Sequence, residues 1–292
     1  MRRCLQAAYA QGVRRCLALV LAVCASGAYA ADAIDQDAAA KAATDATTRR
    51  QAAAAIPLNR VAPEHRDDVA AIIADPTIFR RLPTSVVDCR PEMFTYLAEN
   101  PETLVEIWRE LGLSRARLTR TGPTTFQLQD GAGTTADVVV VESTCDAAAQ
   151  NRIVMLVDGQ YNGKPFNTPL TARCVLALIS GSVEETNGRE YVATRIDAFV
   201  KLDQAGVALL AKAMHPLVGK TADRNFADTV NFVSSLSYTS EVRPDRIHEL
   251  ALLLRRVEMP RRQRFDEVID DCHRQGQEWL RTHVAADAEP EL

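Results

Sequence analysis

The fold is decided by residues 85–241, which begin SVVDCRPEMFTYLAENPETLVEIWRELG (85–112) and close with a helical stretch containing ALLAKAMHPLVGKTADRNF (208–226). Residues 85–89 are short and mostly β-branched or small, which predicts a first strand. Pro91 then opens a helix, because proline is tolerated in the first helical turn. The pair Asn100-Pro101 starts a second helix, which Gly112 ends.

After Gly112 the spacing of apolar residues changes from helical to alternating, which is typical of strands. Turn signals rich in glycine, asparagine and proline divide the region into six segments. The predicted strands cover residues 116–120, 125–129, 136–144, 152–161, 171–183 and 191–202. Asn187-Gly188 gives the strongest hairpin signal among them.

Helical spacing returns over residues 204–237, and Pro216 is expected to kink this long helix because it removes an internal hydrogen bond. Two amphipathic helices follow Pro244. Their apolar stripes are Ile247, Leu250 and Leu254 in the first, and Phe265, Val268, Ile269, Cys272 and Trp279 in the second.

One strand, two short helices, six strands and a long closing helix resemble the START/polyketide-cyclase-like (SRPBCC) helix-grip superfamily over about residues 84–241. The amino-acid sequences of residues 85–102 and 209–226 are similar to those of the opening and closing elements of that family. The resemblance implies an α+β fold in which a seven-stranded curved antiparallel sheet grips a long C-terminal helix, with extra helices at both ends. The expected organisation is a signal peptide (1–30), an Ala-rich linker (31–60), a helix-grip domain with an N-terminal helix (61–241) and a C-terminal helical extension (242–292).

A two-residue turn at Asn187-Gly188 would place Val175 opposite Val200 on the last two strands, and alternation would then gather an apolar set on one face. We expect this face to be concave and to lie towards the long helix. The expected lining is Val139, Val141, Met155, Val157, Ala177, Ile179, Val192, Ile196, Ala198, Leu210, Met214 and Val218, with His215 as a polar group of the cavity. The same residues would form a filled core if the helix packed flush against the sheet.

The opposite face is also rich in apolar residues, more so than a solvated face requires. We expect residues 265–279 of the tail to cover it. Cys174 lies on that face and Cys272 on the apolar stripe of the tail, so a Cys174–Cys272 disulfide is expected; buried free thiols are the alternative.

The N-terminus resembles a secretory leader: a basic segment, a short apolar core and Ala28-Tyr29-Ala30 before a cleavage point near Ala30. Removing residues 1–30 takes away four arginines and no acid, so the formal charge changes from −4 to −8. An acidic mature chain argues against nucleic acid as a partner. Because of the leader, the expected location of the mature protein is the periplasm or the exterior of the cell.

Motifs for catalysis are weak. Gly131-Ala132-Gly133-Thr134 falls between two strands and is interpreted as a hairpin turn. The five histidines lack metal-ligand spacing, and Arg195 with Asp197 is interpreted as a structural ion pair. No cofactor or metal is expected.

The expected function is non-catalytic binding of a lipid-like or other hydrophobic small molecule. A cyclase- or aromatase-like enzyme in the same pocket, or an envelope interaction module with a filled core, is the alternative. A basic cluster of the tail could contact a membrane surface, or be a solvated loop balanced by nearby acids. It comprises Arg255, Arg256, Arg261, Arg262 and Arg264.

Overall fold

A computed structural model describes residues 42–145, 151–163, 169–186, 188–202 and 205–286, with backbone alone at 205–218 and 283–286. The expected signal peptide, residues 1–30, lies outside this range. The described helices are α1 (Ala46–Ala54), α2 (Arg66–Ala74), α3 (Pro91–Glu99), α4 (Pro101–Glu110), α5 (Ala205–Val242), α6 (Pro244–Ala251) and α7 (Met259–Ala286), and a 3-10 turn spans Pro63–His65. The strands are β1 (Ile78–Arg81), β2 (Ser85–Val87), β3 (Arg117–Arg120), β4 (Thr125–Gln129), β5 (Thr134–Thr144), β6 (Asn151–Tyr161), β7 (Leu170–Glu184) and β8 (Glu190–Leu202).

The strands form one antiparallel sheet in the order β1-β8-β7-β6-β5-β4-β3, and β2 pairs with β8 beyond β1. The α+β class, with its antiparallel sheet and long C-terminal helix, is confirmed. The described residues contain eight strands rather than the seven expected, because Ile78–Arg81 is a strand. This strand follows Pro76, which disfavours helical backbone at Asp75, the residue that caps the end of α2.

The last hairpin has a different register from the one predicted. The structure pairs Val175 with Phe199, not with Val200, because Arg189 pairs with Glu185, whose N–H donates to the Arg189 carbonyl at 3.0 Å, and not with Thr186. Gly188 has φ of 70° and donates its N–H to the Glu185 carbonyl at 2.8 Å, which suits a loop with a left-handed residue at its end. A shift of one residue moves every side chain of one strand to the other face.

Helices cover both faces of the sheet. The inner face, defined by Cys174, Leu176 and Ile196, shares a large hydrophobic core with α3 to α7. The outer face, defined by Val175, Ala177 and Phe199, packs against α1 and α2 in a second core. Residues 46–56 of the Ala-rich segment therefore contribute buried side chains to the outer core, among them Ala52 and Ile56.

The tail does not cover the outer face, contrary to the prediction. Phe265 and Ile269 of α7 lie in the inner core, and the Phe265 ring stacks on Tyr96 of α3 at 5.4 Å. Near the far end of α7, Arg189 lies 5.4 Å from the Trp279 ring. The tail and α5 thus lie on the same side of the sheet. α5 is assigned as one helix through Pro216, and the expected kink stays a prediction.

Candidate functional site

The residues predicted to line one cavity are divided between the two faces of the sheet. On the inner face are Met155, Val157, Val192, Ile196 and Ala198. On the outer face are Val139, Val141, Ala177 and Ile179. The side chains of Leu210, Met214, His215 and Val218 lie outside the described residues. The register of the last hairpin separates Ala177 and Ile179 from Ile196 and Ala198. The pairing of Val138 with Val157 separates Val139 and Val141 from Met155 and Val157.

The centre of the inner face carries one apolar row across four strands. Val140 pairs with Met155, Met155 with Leu176, and Leu176 with Ala198. Leu176 is buried, whereas Val140, Met155 and Ala198 retain accessible surface, as does Leu178 nearby. Accessible apolar surface in the middle of a helix-covered face indicates incomplete packing there.

α5 contributes Phe226, Val230 and Val233 to the inner core. Phe232, on an adjacent stripe of the helix, makes an edge-to-face contact with Trp108 of α4 at 6.1 Å. Trp108 and Tyr96 are both buried in this core. The inner site is therefore bounded by the middle strands, by α4 and by α5.

Three polar side-chain atoms in this region are buried without a hydrogen-bond partner: Trp108 Nε1, Asn225 Nδ2 and Asp228 Oδ2. Trp108 and Asn225 are each 3% exposed. Burial raises the pKa of the Asp228 carboxyl, although the charge of Arg224 partly offsets it. Each orphan atom, meaning a buried polar atom without a hydrogen-bond partner, lowers the stability of the fold by about 1–3 kcal/mol. Three of them together therefore need an explanation. Sequence reasoning missed Asn225 and Asp228, because nothing in their spacing marks them as buried.

The opposite side of α5 is fixed to the edge of the sheet. Arg80 of β1, the cross-strand partner of Ala198, donates to Asp223 through Nε at 2.8 Å and also through Nη2. A Cβ at Gly219 would lie 2.5 Å from Arg80 Nη1, so glycine is needed for the guanidinium to reach this position. This pair anchors α5 beside β1.

Much of the outer face is closely packed, although Val139 and Leu156 keep accessible surface and Arg195 Nε is buried without a hydrogen-bond partner. Val154, Val175 and Phe199 are fully buried. Asp197 is also fully buried and accepts two hydrogen bonds from Arg81, at 2.6 and 2.9 Å. Arg195, the partner expected from the sequence, lies farther away at 3.9 Å. Asp197 thus has a structural role in an ion pair, but chiefly with Arg81.

Beyond α2 the outer face becomes polar and exposed. A shallow cleft of about 330 Å³ includes Gln127, Asp137, Asp158 and Gln160. Asp137 lies opposite Asp158 on neighbouring strands and points away from the inner site. It is therefore not an ionisable group of the inner site.

The four cysteines of the described chain are free thiols, so Cys174 and Cys272 are not joined. Both are buried in the inner core. Burial raises the pKa of each thiol to about 12, which leaves it unreactive at neutral pH. Cys89 is also buried, and Cys145 is half-buried.

Gly131-Ala132-Gly133-Thr134 is a hairpin turn, as predicted. The Asp130 carboxylate accepts hydrogen bonds from the N–H groups of Ala132 and Thr134, at 2.6 and 2.9 Å. Among the described residues, no cluster of three or more histidine, cysteine, aspartate or glutamate side chains could hold a metal ion. None of the helices described has both the length and the apolar character needed to span a membrane.

The tail arginines differ in their surroundings. Arg256 and Arg261 line a cleft of about 270 Å³ with Glu102 and Glu106, at 3.5–3.7 Å from those carboxylates. Arg264 pairs with Glu267 at 2.8 Å. Arg255 is exposed and Arg262 half-buried, and neither forms an ion pair with a carboxylate in the described part of the chain. Glu267 is one of the nearby acids expected to balance the cluster, whereas Glu102 and Glu106 come from α4.

A search against known family models and curated proteins found no match to this chain. The function must therefore be argued from the site.

Proposed function

We propose that this protein binds a lipid-like or other hydrophobic small molecule between the inner face of the sheet and α5. The observation that carries the proposal is the accessible apolar surface of Val140, Met155, Leu178 and Ala198 at the centre of a helix-covered face. On the outer face Val154 and Val175 are sealed, and Val139 and Leu156 are partly exposed. A mostly apolar cavity with few polar groups is the usual form of a small-molecule site.

The order of elements supports the same proposal. β2, α3, α4, β3 to β8 and α5 follow the order that the resemblance to the SRPBCC helix-grip superfamily implies. We propose membership of that superfamily on this basis. We also propose that the mature protein works outside the cytoplasm, since residues 1–30 have the pattern of a cleaved leader.

Apolar burial would supply most of the affinity. Each methylene removed from water contributes about 0.8 kcal/mol, so a chain of several carbons is enough for stable binding. No step of covalent chemistry is needed for this role.

The test uses one substitution at two positions. Val140→Phe fills space on the inner face, whereas Val154→Phe inserts the same bulk into the outer core. Binding of the apolar fluorophore N-phenylnaphthylamine should be lost in Val140→Phe and retained in the folded fraction of Val154→Phe. Native mass spectrometry of gently purified protein is the second readout. Absence of bound probe and of any co-purified molecule in the wild type would remove the proposal.

A cyclase- or aromatase-like enzyme in the same pocket is a second candidate, and one observation favours it. Asp228 is a partly buried carboxyl with a raised pKa, the kind of group that acid–base chemistry requires. His215, the other candidate, lies outside the described side chains. The interaction-module alternative required a bare apolar outer face, and α1 and α2 cover much of that face.

A further inference from the structure

The three orphan atoms Trp108 Nε1, Asn225 Nδ2 and Asp228 Oδ2 lie on one side of α5 and its neighbour α4. Asn225, Asp228 and Phe232 are three and four residues apart, so they share a stripe of the helix. Phe232 contacts Trp108, which brings the α4 residue to the same stripe. The opposite side of α5 carries Asp223, which is bonded to Arg80 of the edge strand β1. The side with the unpaired atoms therefore faces away from that edge, towards α4.

We propose that the ligand of the inner site is a neutral amphiphile whose hydroxyl group meets Trp108, Asn225 and Asp228. This inference rests on the proposed function. The indole and the amide nitrogen are donors, and the free carboxylate oxygen is an acceptor. A hydroxyl group can accept from the donors and donate to the carboxylate at once. A hydrocarbon would leave all three atoms unpaired, and a carboxylate headgroup would be repelled by Asp228.

The unpaired atoms also predict that one substitution should stabilise the free protein and weaken its binding of ligand. An unsatisfied buried polar group destabilises the free protein, and an apolar group of similar shape removes that cost. Asn225→Leu should therefore raise the Tm of the free protein by about 2–4 °C. The same change should weaken the binding of an alcohol by about ten-fold, because one donor to the hydroxyl is lost.

The experiment measures displacement of N-phenylnaphthylamine by straight-chain alcohols, alkanes and carboxylates of matched length. Wild type should prefer the alcohols by about ten-fold, and Asn225→Leu should lose that preference. Asn231→Leu, the same change at an exposed position of α5, is the control and should alter neither Tm nor preference. Equal binding of alcohol and alkane by wild type would overturn the inference while leaving the proposed function intact. Failure of every probe to bind would remove both.

A second inference rests on a separate observation, the loop between α6 and α7. Leu252, Leu253 and Met259 are 72%, 44% and 57% exposed, which is high for large apolar side chains. Leu254 and Val257 are buried and fix the loop, and backbone hydrogen bonds such as Val257 N–H to the Leu254 carbonyl at 3.1 Å hold its shape.

We infer that this loop docks on an anionic lipid surface. Its apolar tip suits insertion at the headgroup level, and Arg255 and Arg262 beside it have no ion pair within the described residues to neutralise them. Each arginine near an anionic surface strengthens association by about five-fold. A protein able to hold an amphiphile would collect or deliver it at such a surface.

Sedimentation with vesicles tests the docking. The protein should pellet with vesicles containing anionic lipid and much less with neutral ones. The double change Leu252→Asp, Leu253→Asp should abolish pelleting, and Arg255→Gln with Arg262→Gln should weaken it by about 25-fold. Val86→Asp changes an equally exposed apolar residue, 65% exposed on β2, and should have no effect. If wild-type protein does not pellet with anionic vesicles, the inference is contradicted, and a protein partner is left as the occupant of this loop.

Discussion

The two faces of the sheet differ in how their central residues are packed and paired. On the outer face Val154, Val175 and Phe199 are fully buried and the buried charge of Asp197 is paired with Arg81, although Val139 and Leu156 are partly exposed and Arg195 Nε has no hydrogen-bond partner. The inner face has a larger set of helices above it, yet its central row keeps accessible surface, and polar atoms of Trp108, Asn225 and Asp228 stay unpaired. A complete core leaves neither voids nor orphans. In the proposed account, the outer face contributes stability and the inner face binds the ligand.

The largest expected effect concerns the buried charge of the outer face. Arg81→Leu leaves the fully buried Asp197 without its main partner, so the free energy of unfolding should fall by about 3–5 kcal/mol. Urea unfolding monitored by circular dichroism measures this. The double change Arg81→Leu, Asp197→Leu should recover much of the loss. A loss below about 1 kcal/mol, the range of an exposed ion pair, would mean that the outer face is less sealed than described.

Substitution of a valine by phenylalanine on each face should give the next largest difference in the free energy of unfolding. Val154→Phe should lower the free energy of unfolding by about 1–3 kcal/mol, since the outer core has no space for extra carbons. Val140→Phe should be nearly neutral, because its ring would enter the space proposed for the ligand. Equal destabilisation of the two variants in the same urea experiment would remove the distinction between the faces.

Gly219 probes the anchor that holds α5 over the inner face. Replacing a glycine inside a helix by alanine normally stabilises by about 1 kcal/mol. Here the new methyl group meets Arg80, so Gly219→Ala should gain nothing. The gain should return when the same change is made in Arg80→Ala, and a double-mutant cycle of unfolding free energies measures this coupling. Additive effects would show that Arg80 does not hold this position.

The smallest effect is a pH dependence in the helices beside the inner face. Burial alone would lower the pKa of His248, but hydrogen bonds to Asp266 and Asp270, each at 3.0 Å, raise it above its usual 6.5. The stabilisation is therefore complete below the unfolded pKa and is lost as pH rises through the folded value. Tm measured across neutral pH should fall more steeply in the wild type than in His248→Gln. Parallel curves would contradict the assignment.

Most of the helices and strands could be predicted from the sequence. The face of the sheet on which each strand residue lies could not. Helices at Pro91 and Pro101 and the six strands after Gly112 follow from local spacing and turn residues, and all are present. The face assignment depended on whether Thr186 or Glu185 pairs with Arg189, and on the register of β5 against β6. A change of one residue in either register exchanges the sides of a strand. Nothing local resolves it.

The remaining differences arise from contacts between distant segments. The tail was expected on the outer face because its apolar stripe needed a partner, and α1 and α2 occupy that place. Asn225 and Asp228 look like ordinary helix residues until α4 and the sheet enclose them. An orphan atom is defined by what does not pack against it, so no spacing rule can find one.

Xenon binding in crystals tests the central claim most directly, because xenon enters apolar voids and is excluded from close-packed cores. The claim is that one face of the sheet has an apolar void and the other has none. Xenon density should lie beside Val140, Met155 and Ala198, and the core around Val175 and Phe199 should contain none. A xenon-free inner face, or equal occupancy on the two faces, would contradict the account.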